Sequence, residues 1–238
     1  VDVYSQYINN LVFDALLSMD LDTGELLPGL AESWEISDDK LIYTFHLRKG
    51  VTFHDGRPLT ADDVIYTYDR ILDPKVDAPV IRGFFADCEW YKKIDDHTVQ
   101  VKWKKPYFKT LSTLGGVEIL PRHILDDGRD FNKHPFARRP VGSGPYRFVE
   151  WETGQRILLE RNPDYWGDHY HFDRIFFKII TKEEVALRVL MNGDLDLILG
   201  LRASQWVSRD TNSPEFLARF NKLQYDYPTF NYIGWNLK

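Results

Sequence analysis

The chain has 238 residues, with 36 acidic against 30 Lys and Arg side chains and a net charge of −6. Its 43% hydrophobic and 28% charged content is that of a foldable chain rather than a disordered one, with room for one large domain or two modest ones. The acidic balance, without any basic block, argues against nucleic acid as the main partner, and the longest apolar runs, such as Leu197-Ile198-Leu199, fall far short of a membrane span.

In chain order, Val1 is preceded by no charged-then-apolar leader and no initiator Met. The expectation is a chain that has been processed or cut out of something longer. Glu32 to Ile36 alternates, Ser37-Asp38-Asp39-Lys40 is a polar turn, and Leu41 to Leu47 puts Tyr43, Phe45 and Leu47 on one face. Together these predict an antiparallel hairpin. Thr60, with Asp63 three residues later, predicts a capped helix carrying Val64, Ile65, Tyr68, Ile71 and Leu72 and ended by Pro74. Thr98 to Trp103 reads as a strand entered from Asp95-Asp96-His97, and Tyr146–Trp151 with Gln155–Glu160 reads as a second hairpin around Thr153-Gly154.

Further along, Thr181 with Glu184 predicts another capping box and a helix stopped by Gly193, followed by a short buried strand from Leu195 to Leu199. The aromatic-rich stretch from Lys222 to Lys238 ends in what reads as a sheet strand, which predicts that the natural chain continues. The sum is a mixed α/β (α+β) architecture without internal repeats.

Catalytic signatures are scarce. There is no phosphate-binding glycine loop, no G-x-G-x-x-G, no H-E-x-x-H and no G-x-S-x-G. Gly142-Ser143-Gly144 has the wrong spacing for a serine nucleophile and reads as a tight backbone bend. His54-Asp55 is a neighbour pair that can supply a general base and its orienter, although adjacent turn residues usually point apart. His169 and His171 need a third ligand to hold a metal, and exposed loop histidines are the simpler reading. Cys88 is the only cysteine, which excludes an intrachain disulfide and a Cys-rich zinc site. Asp62-Asp63 and Glu183-Glu184 suit first helical turns. Seven Trp and 13 Tyr exceed the needs of a core this size, which leaves a surplus of aromatic residues for a ligand cleft.

Six motifs occur in register: Leu30-Ala31-Glu32-Ser33-Trp34-Glu35-Ile36-Ser37; Tyr43-Thr44-Phe45-His46-Leu47-Arg48; Gly50 through Val64, which includes Phe53-His54-Asp55-Gly56; Val141 to Tyr146; Leu159 to Gly167; and Asn192-Gly193-Asp194-Leu195-Asp196. In this order the chain resembles the family 5 extracellular solute-binding proteins, the dipeptide- and oligopeptide-binding components of bacterial ABC importers. The resemblance implies a fold like the type II periplasmic-binding proteins, with part of lobe I plus lobe II: residues 1–14 and 157–238 in lobe I and 15–156 in lobe II. A third lobe that carries much of the ligand-closing wall is outside the sequence.

By the same resemblance Val3, Tyr4 and Ser5 lie alongside a bound peptide's backbone. Val80 occupies a lobe II position that reaches the ligand and where an aromatic stands in oligopeptide binders. The implied function is non-enzymatic. A peptide would be bound by main-chain hydrogen bonds and delivered to the membrane permease subunits of an ABC transporter, without a cofactor. The implied location is periplasmic or extracytoplasmic, free or as a membrane-anchored lipoprotein. Relatives that bind nickel complexes, oligosaccharides, opines or glutathione, and solute-sensing domains of regulators, supply the alternatives. The 238-residue chain is expected to fold, to bind ligand weakly at most, and to expose sheet edges that favour self-association.

Overall fold

The structure, a computed structural model, describes residues 3–20, 22–168 and 170–224, with the side chains of Val3 and Tyr4 left aside. Two compact units divide the chain, Val1–Lys178 and Ile179–Lys238. The first begins with helix α1 (Val3–Val12), a short ribbon of β1 (Leu17–Met19) and β2 (Leu26–Pro28), and then β3 (Ala31–Ile36) and β4 (Ile42–Leu47). Helices α2 (Ala61–Leu72) and α3 (Pro79–Phe84) follow, then β5 (Cys88–Asp95), β6 (Thr98–Trp103) and the short helices α4 (Thr110–Gly115) and α5 (Arg122–Leu125). Strands β7 (Tyr146–Glu152), β8 (Arg156–Arg161) and β9 (Arg174–Lys178) complete the unit.

Strands β3-β4-β6-β5 form one antiparallel sheet in that spatial order. The alternation expected from the sequence sets its inner face: Tyr43, Phe45 and Leu47 of β4 and Val99, Val101 and Trp103 of β6 are all buried. Helix α2 covers them with Val64, Tyr68 and Ile71. The helix starts where the capping box predicts, because the Asp63 carboxylate accepts from the Thr60 backbone N–H at 2.9 Å. It stops before Pro74, which disfavours helical geometry in the residue ahead of it. Helix α3 spans too few residues to stand alone. The Arg82 guanidinium ties it to the end of α2, donating to the carbonyls of Ile71 (3.0 Å), Asp73 (2.6 Å) and Val76.

A second, smaller sheet, β7-β8-β9, packs its Tyr146, Ile157 and Leu159 against Val12 and Phe13, with Ile8 and Leu11 of α1 alongside. The β7–β8 hairpin turns at Thr153-Gly154 as expected. The lobe boundary implied at residue 156 falls inside this hairpin.

The second unit carries α6 (Glu183–Asn192), α7 (Ala203–Trp206) and α8 (Pro214–Leu217), with Leu190 and Phe216 buried. Two expectations change here. The cap of α6 is Lys182, with no side-chain capping bond, rather than Thr181; its stop at Gly193 (φ +88°) is as expected. Leu195–Leu199 is not a strand: Leu197 is 67% and Leu199 49% exposed, and no strand pairs with this segment among the described residues. Apolar β-formers become a strand only where a neighbour satisfies their backbone groups. The expected terminal strand beyond Gln224 lies outside the described residues.

Candidate ligand-binding site

The first unit has two buried clusters, and the chain passes between them at residues 12–16, 117–120 and 141–146. These passages lie against one another. Ala15 bridges Glu118, Ile119 N–H donates to Asp14 O at 2.9 Å, and Gly144 N–H donates to Val12 O at 2.9 Å. A Cβ on Gly142 would stand 1.8 Å from Val12 O, and one on Gly144 2.6 Å from Leu11 O. Both glycines are therefore required by close backbone approach. Neither has a positive φ, so the tight-bend reading gives way to a packing one.

Polar side chains gather on this crossing. The Asp14 carboxylate accepts from Ser143 Oγ (2.9 Å), Trp166 Nε1 (2.9 Å) and the Tyr165 hydroxyl (3.1 Å). Burial raises the Asp14 pKa, and the three donors pull it back. Burial also lifts the Tyr165 phenol, with the Asp14 charge adding to it. On the other side, His54 Nδ1 accepts from Gly142 N–H at 3.2 Å and Nε2 lies 2.9 Å from Gly144 O. The ring is thus the neutral Nε2–H tautomer, and burial pushes its pKa down to about 4. Asn162 Nδ2 donates to the same Gly144 carbonyl at 3.2 Å.

This geometry reassigns the residues that suggested catalysis. The Ser143 hydroxyl is committed to Asp14, and the imidazole of His54 is committed to backbone. Asp55 turns away from His54 to meet His123 Nε2 at 2.7 Å. Among the described residues no group of three His, Cys, Asp or Glu is placed to hold a metal. His169 lies outside the described residues, and His171 is exposed.

The ligand-facing residues implied by the resemblance fall on different clusters. Val3, Tyr4 and Ser5 form the first turn of α1, the helix whose Ile8 and Leu11 pack on the smaller cluster, and Ser5 is half-buried. Val80 sits on α3, beside the larger cluster, and is 73% exposed; Phe84 follows one turn later on the same short helix at 65%. Asp14 is absent from the sequence-derived candidates. Its signal is an isolated carboxylate inside the apolar run Leu11-Val12-Phe13-Asp14-Ala15-Leu16-Leu17.

No helix among the described residues is long and apolar enough to cross a membrane. The family model described as "Bacterial extracellular solute-binding proteins, family 5 Middle" matches residues 25–238. The "Oligopeptide-binding protein AppA" of Bacillus subtilis (strain 168) is 34% identical over 248 residues, covering 100% of this chain and 43% of the relative. Its structure in complex with a nonapeptide aligns with a TM-score of 0.76 at 32% identity, over 82% of this chain and 39% of that one. NikZ of Campylobacter jejuni in complex with Ni(L-His) aligns with a TM-score of 0.72 at 33% identity, over 79% and 37%. The chain thus spans less than half the length of these relatives.

Proposed function

The chain belongs to the family 5 bacterial extracellular solute-binding proteins, and we propose from that premise that it is the lobe I–lobe II portion of the substrate-binding component of an ABC importer for di- and oligopeptides. The observation that carries the reading is the two-cluster build of residues 3–178, threaded three times by the chain, in an alignment covering 82% of this chain with a peptide-loaded relative. In this reading residues 1–14 and 157–238 belong to lobe I and residues 15–156 to lobe II, with β7 packed on the lobe I side. Val3, Tyr4 and Ser5 follow the peptide backbone, and Val80 meets a side chain across a cleft between lobes. An extended peptide offers backbone groups at regular spacing, so main-chain hydrogen bonds hold it with little regard to sequence. Small valine in place of an aromatic at position 80 favours a roomy, wet pocket over a stacked one.

The protein works outside the cytoplasmic membrane, free or lipid-anchored, and delivers its peptide to the permease subunits. A second reading, a nickel complex as ligand, is favoured by the likeness to NikZ with Ni(L-His). Tryptophan-fluorescence titration of a chain extended to the length of the relatives separates the two. A saturable change with a di- to pentapeptide pool, absent with Ni(L-His) and sugars, is expected. Silence to peptides with a response to Ni(L-His) would replace the peptide reading.

A further inference from the structure

A notch of about 390 Å³ opens beside the crossing, lined by Glu32, Arg48, Lys49, Val51 and Trp166. Strand β3 supplies Glu32, the segment after β4 supplies Arg48, Lys49 and Val51, and the loop after β8 supplies Trp166. Arg48 is fixed on two sides. Its Nε donates to the Gly29 carbonyl at 2.7 Å, and its guanidinium carbon lies 4.9 Å from the centre of the Trp166 ring. That ring is itself anchored through its N–H to Asp14. A guanidinium held this way has already lost much of the freedom a ligand would otherwise have to remove. Half-buried, it nevertheless has no carboxylate partner among the described residues, and its Nη donors are unused there. Lys49 and Glu32, both exposed, likewise make no ion pair among the described residues.

Opposite charges therefore line one small notch without closing on each other. We propose that it is a binding site for a small zwitterion, a free amino acid or dipeptide, lined by none of the residues assigned above to the bound peptide. The ligand carboxylate lies between Arg48 and Lys49, its ammonium meets Glu32, and its short carbon skeleton rests over Val51 and the indole edge. The planar fork of Arg48 matches a carboxylate through two parallel hydrogen bonds. A simple anion would satisfy the cations but set its charge against Glu32, and a neutral molecule would leave all three charges unmatched.

The test is fluorine NMR of the chain labelled with 5-fluorotryptophan, with the Trp166 resonance assigned by Trp166→Phe. Glycylglycine is expected to move that resonance saturably while the other tryptophan signals stay in place. Glycylglycinamide, which lacks the carboxylate, and N-acetylglycylglycine, which lacks the ammonium, are expected to bind about tenfold more weakly or worse, the effect of losing one charge-assisted hydrogen bond. Arg48→Gln should abolish the shift. If that variant disturbs the other resonances too, Arg48→Lys decides, since it keeps the charge and loses the fork; it should weaken binding severalfold. Glu32→Gln should weaken glycylglycine but not its N-acetyl form. An unmoved Trp166 signal, an affinity for glycylglycine left unchanged by Arg48→Lys, or an equal response to inorganic phosphate would overturn the proposal, the last by marking an unspecific anion site. None of these outcomes depends on whether the extended chain binds peptides in its cleft.

Discussion

Among the described residues, the two clusters of the first unit differ fourfold in size: 21 buried apolar residues around the four-stranded sheet, five around the three-stranded one. The larger has a twelve-residue helix across its inner face and a sheet whose central strands β4 and β6 bury every second side chain. The smaller has α1 on one side and ends on β9, where Phe176 is 54% exposed between Arg174 and Lys178. Flanking cations of this kind discourage edge pairing, and they temper the self-association expected of an open edge. The contrast predicts that local stability follows what covers a sheet, even where two sheets share one chain and one crossing.

Urea unfolding of single variants tests that contrast most strongly. Phe45→Ala, at a fully buried position of the large cluster, should cost about 3–5 kcal/mol, whereas Ile175→Ala, half-buried in the small one, should cost about 1 kcal/mol. Equal losses would mean that the small cluster is as well packed as the large. Gly142→Ala comes next, because its new methyl must displace the Val12 backbone. We expect it to cost about 2–3 kcal/mol and to split one transition into two, as the clusters lose their common seam. A single, unshifted transition would show that the seam does not couple them.

A smaller effect comes from acid. The folded pKa of His54, about 4, lies below its ordinary 6.5, so its contribution is complete above pH 6.5 and is lost as pH falls towards 4. Discounted for partial exposure, the loss is about 1–2 kcal/mol over that window, and His54→Gln should flatten it. Asp14 acts with the opposite sign. Its raised pKa stabilises the fold below the ordinary carboxylate range, and that contribution fades as pH climbs through the raised value. A stability curve of the His54→Gln variant as steep as the parent's between pH 6.5 and 4 would remove His54 from this role. Smallest of all, Val80→Ser should move stability by no more than about 0.5 kcal/mol, since the side chain is exposed; a larger loss would show that α3 packs more tightly than its surface indicates.

The large cluster was legible in the sequence because β4 and β6 alternate cleanly and α2 announces both its ends. Strand β5 was not, since irregularities between Cys88 and Trp90 and between Lys93 and Asp95 break the period of two. Leu195–Leu199 misled for the converse reason: its composition suits a strand, but pairing is a property of neighbours and not of the segment. Thr181 satisfied a capping pattern that Lys182 displaced by one residue, an ordinary error at helix ends. The crossing was half legible. Gly142, Ser143, Gly144 and His54 stood out, but for chemistry they do not perform. Asp14, the partner of Ser143, lies more than 120 positions from it, a distance over which no local periodicity reports.

The three side-by-side passages also have a mechanical meaning. One strand between two bodies leaves them free to swivel, and two leave a hinge line. Three, knitted by backbone hydrogen bonds and riveted by one carboxylate to Ser143, Tyr165 and Trp166, make a plate. Turning one cluster against the other would shear all of these bonds together. A turn of one cluster against the other therefore has to break a whole row of bonds at once, where a single connecting strand would only have to bend.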